Sequence, residues 1–128
     1  MSELEYPRVI GVAPGNGYSH VVTGSGQWVA ISGQVALDVN GEFVGRDDPT
    51  VQTEQVFANL ERCLASVGAT FSNIVKLTYF VTDITHLPEI RVVRDKYITG
   101  LKPASSAVQV ASLFSPLALI EIEAFAII

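Results

Sequence analysis

Leu117-Ala118-Leu119-Ile120-Glu121-Ile122-Glu123-Ala124-Phe125-Ala126-Ile127 is the stretch that decides the fold. As a strand it sends Ile120, Ile122, Ala124 and Ala126 to one side and Leu119, Glu121, Glu123, Phe125 and Ile127 to the other, because side chains alternate across a pleated backbone. The first face is wholly apolar and belongs on a core. The second sets two carboxylates among large apolar groups. If the first face packs on helices, the second points away from them, where an oligomer of such subunits would enclose Glu121 and Glu123.

Outward from this strand, residues 107–113 read as a further strand across the Ser115-Pro116 turn. Before it, Leu87, Ile90, Val93 and Tyr97 recur at helical spacing over residues 87–98, with Pro88 in the first turn. Residues 74–84 form a buried-looking strand. A longer helix is framed by Asp48-Pro49, an N-cap acceptor followed by proline, and by Gly68. Its apolar stripe is Val56, Leu60, Cys63, Leu64 and Val67, and its polar face is Gln52, Glu54, Glu61 and Arg62. Residues 18–23 and 27–39 read as a hairpin about Gly24-Ser25-Gly26, and Asn40-Gly41 offers a second turn. The whole is a single α+β domain over residues 1–128, with two helices on one face of a mostly antiparallel sheet.

The chain has 48% hydrophobic but only 16% charged residues. A soluble monomer carries about a quarter charged residues, so part of the apolar surface is expected to be covered by other subunits. Charges and turn residues interrupt every apolar run, which excludes a bilayer-spanning helix of about 20 residues. Glu3 and Glu5 stand where a signal peptide would be basic, so the expected location is the cytoplasm. A net charge of −5, with no basic stripe, argues against nucleic acid as a partner. Cys63 is a lone thiol within a helical pattern, and its expected place is the core. His20 and His86 have no close carboxylate or thiol spacing, so no metal site is expected. Ser105 and Ser106 lack the acid and base that would activate a hydroxyl.

Four stretches in register carry a resemblance: Gly17-Tyr18-Ser19, Ile31-Ser32-Gly33-Gln34, Val75-Lys76-Leu77-Thr78-Tyr79-Phe80-Val81-Thr82-Asp83, and Lys102-Pro103-Ala104-Ser105-Ser106-Ala107-Val108 with Ile120-Glu121-Ile122-Glu123-Ala124. Together they resemble the RidA (YjgF) family over nearly the whole chain. The resemblance implies a chorismate mutase-like fold with a six-stranded sheet, and a homotrimer with small-molecule clefts between subunits. It also implies cofactor-free hydrolysis of reactive imines and enamines such as 2-aminoacrylate.

On that resemblance, Glu121 is the catalytic group that handles water and proton, and burial beside Leu119 and Phe125 is expected to raise its pKa. Tyr18, Ser32, Gly33, Arg91, Ser105 and Ala107 would bind the substrate. The family's carboxylate-binding arginine would stand at Ser105, and its frequent cysteine at Ala107. Losing a charge-assisted contact of about 1.5–3 kcal/mol argues against 2-aminoacrylate as substrate. Arg91, near a position where the family often has asparagine, would supply a compensating charge, or else belongs with Arg94 and Asp95 to a solvated helix face. His20 would titrate in the pocket or serve in packing. The expected function is thus a deaminase or tautomerase acting on a small imine, enamine or related carbonyl compound. The alternative is a non-catalytic trimer that binds a small ligand or another protein. A nuclease role, sometimes ascribed to the family, conflicts with the acidic charge.

Overall fold

Asp48 begins the first helix as its sequence position requires: its side chain accepts the Val51 N–H at 3.0 Å, and Pro49 occupies the first turn. The computed structural model describes residues 3–128. Its elements are β1 (Trp28–Gln34), α1 (Pro49–Ala65), β2 (Ile74–Val81), α2 (Leu87–Tyr97), β3 (Ala104–Gln109) and β4 (Ile120–Ile127). The sheet order is β1-β4-β2-β3.

The two faces of β4 divide as its alternation predicts. Ile120, Ile122, Ala124 and Ala126 are buried, in one cluster with Val56, Phe57, Leu60 and Leu64 of α1 and Ile90 and Val93 of α2. Each large side chain so buried contributes about 1.5–3 kcal/mol relative to exposure. On the opposite face Glu121 and Glu123 are half-buried, and Phe125 meets Trp28 edge to face at 6.0 Å. Trp28 is 67% exposed, so nothing among the described residues covers it.

Several expectations are corrected. The sheet has four strands among the described residues, not six. Residues 18–23 make no ladder; Thr23 forms an isolated bridge with Glu5, and Ser19 is pinned to the entry of β3 through the carbonyls of Lys102 and Pro103. β1 ends at Gln34, after a shift in its register to β4 between Ile31 and Gln34, and beyond it Leu37 and Phe43 form only a bridge around the Asn40-Gly41 turn. β3 runs over 104–109 rather than 107–113 and pairs parallel to β2. The intervening helix returns the chain to the end at which β2 began, and a crossover of that kind makes parallel neighbours.

In α1, Gln52 is not on the polar face but wholly buried. Its amide donates to the Leu117 carbonyl at 2.8 Å and accepts the Leu119 N–H at 2.9 Å, tying the helix to the entry of β4. Val67 lies beyond the helix end and is exposed, whereas Cys63 packs partly buried against the core.

Candidate functional site

The parallel register sets Ser105 beside Leu77 and Ala107 beside Tyr79, on the sheet face that packs against the helices. There Tyr79, Ser105 and Ala107 form the floor of a cavity of about 250 Å³. Leu87, Ile90, Arg91 and Arg94 of α2 form one wall, and Asn16 and Tyr18 complete it. The α2 spacing explains the wall, since residues three and four apart share a helix face. Of the residues expected to bind substrate, Tyr18, Arg91, Ser105 and Ala107 meet here.

Arg91, Arg94 and Tyr79 are among the polar groups that line this cavity. Arg94 is only 13% exposed in its side chain, and its Nε and Nη2 both lie 2.9 Å from Asp95 Oδ1. Its hydrogen bond holds the Asp95 carboxyl below the ordinary carboxylate range. The guanidinium also presses on Gly17, whose φ is +80° and where a Cβ would fall 2.8 Å from Nη2. Arg91 is exposed and forms no ion pair among the described residues. Tyr79 is 5% exposed, and its hydroxyl finds no hydrogen-bond partner among the described residues. Burial pushes that phenol well above its ordinary value.

Glu121 lies elsewhere. It is aligned with Phe80 on the face away from the helices, and its carboxylate rests against Gly33, where any Cβ would overlap it. Gly33 sits in the irregular stretch between Ile31 and Gln34, and Ser32 beside it is exposed. The residues expected to form one site therefore fall into two groups on opposite sides of the sheet: Tyr18, Arg91, Ser105 and Ala107 on one, Ser32, Gly33 and Glu121 on the other. His20 bonds the Ala13 carbonyl through Nε2 at 2.6 Å and packs edge to face on Tyr18 at 5.3 Å.

Sequence reasoning missed Asn16, Tyr79 and Arg94, and it grouped Arg94 with a solvated face. The three-residue step from Arg91 to Arg94, in phase with Leu87 and Ile90, was the available signal. No helix of the described residues is long and apolar enough to cross a membrane, and no three His, Cys, Asp or Glu cluster as a metal site among them.

An α+β chain with a helix-side cavity and a carboxylate-bearing opposite sheet face is the class that fold and site define. The family profile described as endoribonuclease L-PSP matches residues 11–128, and the chain belongs to that family, whose members carry the names RidA, RutC and YjgF. It is 35% identical over 108 residues to the protein DfrA of Myxococcus xanthus, covering 84% of this chain and 79% of that one. It is 31% identical over 99 residues to 2-iminobutanoate/2-iminopropanoate deaminase of Rattus norvegicus, covering 77% and 72%. The crystal structure of YyfB from Yersinia pestis, a protein of unknown function of the conserved Rid family, superposes with a TM-score of 0.89 at 37% identity over 98% of this chain and 99% of that one.

Proposed function

We propose that the chain is the subunit of a homotrimer that hydrolyses a small imine, enamine or related carbonyl compound without a cofactor, in clefts between neighbouring subunits. The separation of Glu121 and the Tyr18–Ser105 cavity onto opposite sheet faces carries this reading: only a second copy, laid on the bare face, brings the two together. The relative named as an imine deaminase supports the chemistry.

In that cleft Glu121 takes a proton from a water as the water's oxygen bonds to the imine carbon and passes it to the nitrogen, then carries the proton of the new hydroxyl to the same nitrogen as the carbonyl forms. The C–N bond then breaks to give a carbonyl compound and ammonia, so that imine plus water is fully accounted for. Holding water and substrate together is the larger part of the acceleration. Ser105 offers one neutral hydrogen bond where the family's arginine would stand, which disfavours 2-aminoacrylate. The charge of −5 disfavours RNA.

Glu121→Gln should abolish turnover on a panel of imines while the trimer persists. Unchanged turnover would remove Glu121 from the mechanism, and no turnover by the wild type on any imine would favour the binding trimer. With a serine dehydratase supplying 2-aminoacrylate, the wild type should be slow and Ser105→Arg faster by about one to two orders of magnitude. Strong wild-type activity would contradict the role given to Ser105.

A further inference from the structure

We infer that Tyr6, Phe71 and Tyr97 wall a binding site for a small organic cation, of the alkylated or quaternary ammonium class, at the C-terminal end of α2. This site is separate from the cavity of Tyr18 and Ser105, and its ligand does not depend on the hydrolysis proposed there.

Three parts of the chain set the walls. Tyr97 is the last residue of α2, and its ring stacks on Phe57 of α1 at 5.3 Å with the planes 18° apart. Phe71 meets Tyr97 at 5.6 Å with the planes tilted by 59°, so these two rings stand as adjoining walls rather than as a stacked pair. Tyr6 is brought alongside by Glu5, whose backbone pairs with that of Thr23 in both directions, at 2.7 and 2.9 Å. The three rings line a cavity of about 200 Å³. That is several times the ~30 Å³ share of one water molecule, a size suited to a head group of several heavy atoms. Leu101 lines the same cavity yet is 70% exposed, so it marks the rim past which the rest of a ligand would leave.

The face of an aromatic ring carries the negative part of its quadrupole, so aromatic walls attract a cation that sheds water on entering. Two further observations have the same sign. No basic side chain lines the cavity. Burial, and after it the charges of Glu54 and Glu61, push the Tyr97 phenol above its ordinary value against the opposing Lys96. Lys96 is engaged with Glu54 at 2.6 Å, whereas Glu61 forms no ion pair among the described residues.

The helix end supplies the second. The Ile98 N–H donates to the Arg94 carbonyl at 2.8 Å, and Lys102 is engaged with the Ile98 carbonyl and Asp95. The carbonyls of Asp95, Lys96 and Tyr97 receive no hydrogen bond among the described residues, so the negative end of the helix dipole stays open beside the aromatic walls. A neutral apolar ligand would use the rings but gain nothing from these charges, and an anion would be repelled by them.

Choline is the probe, and 3,3-dimethylbutan-1-ol, of the same shape but without the charge, is its control. In calorimetric titration of the intact protein at constant ionic strength, choline should bind with a dissociation constant of about 1 mM or below, and the alcohol at least about tenfold more weakly. Tyr6→Leu keeps apolar bulk but removes a ring, and should weaken choline at least about fivefold. Thr99→Lys sets a positive charge at an exposed position on the lining and should abolish binding with far-UV circular dichroism unchanged, which keeps the test open if Tyr6→Leu fails to fold. Equal binding of choline and the alcohol, no saturable binding of choline, or wild-type affinity in folded Tyr6→Leu or in Thr99→Lys would overturn the inference.

Discussion

Tyr79 is where burial and polarity conflict most sharply in this chain, and that conflict yields two measurements. Removing its unpartnered hydroxyl with Tyr79→Phe should raise unfolding free energy by about 1 kcal/mol in urea titration; a loss of similar size would mean the hydroxyl is satisfied in the folded protein. The folded phenol keeps its proton to higher pH than an unfolded tyrosine, which ionises near pH ~10. Its contribution is therefore whole below pH ~10 and is lost as pH rises further. Unfolding midpoints between about pH 9 and 11 should fall more steeply in the wild type than in Tyr79→Phe, and parallel slopes would contradict the raised value. Gly17→Ala combines a left-handed φ with a clash on Arg94 and should cost more than about 1 kcal/mol. At this scale the sequence was half legible. Tyr18, Arg91, Ser105 and Ala107 could be named from the resemblance, and they converge on one cavity. Arg94 and Tyr79 could not, because an arginine beside an aspartate reads as surface and a strand tyrosine as core.

Helix α1 shows how far pattern reaches among the elements. Its cap at Asp48 and its stripe of Val56, Leu60 and Leu64 follow from spacing alone. Gln52 does not: helical phase places it among polar neighbours, and only the third dimension brings the Leu117 and Leu119 backbone to it. Gln52→Leu should strand two buried backbone groups and cost about 1–3 kcal/mol for each, measured by chemical denaturation; a neutral effect would mean that water replaces the amide. The edge elements were misjudged for a related reason. Residues 18–23 have strand composition, but a strand needs a neighbour's ladder, and here Ser19 meets only the short entry to β3 and Thr23 only Glu5. The parallel pairing of β3 was hidden because composition carries no direction.

For the whole molecule, the two faces of β4 set the argument. The face of Ile120 and Ile122 closes the core of one chain, while Phe125 and Trp28 on the other face stay exposed, where the proposed trimer would cover them. Trp28, next to Phe125, should therefore report assembly, with blue-shifted emission in the trimer and a red shift in Phe125→Glu as the oligomer dissociates in light scattering. Unchanged emission and mass would leave the face uncovered in solution. The alternation of Glu121 and Glu123 with apolar groups made this face legible early; which residues of a neighbour meet it was not, since one chain's sequence carries no docking geometry. The central claim is that each site is built from two chains. Glu121→Gln removes the carboxylate half and Ala107→Trp fills the cavity half, so the two variants should be unfolded together, refolded as mixed trimers and assayed for imine hydrolysis against each variant refolded alone. Shared sites predict that mixing restores about a quarter of wild-type activity, the fraction of interfaces at which random assortment joins two intact halves; mixed trimers no more active than the separate variants would contradict it.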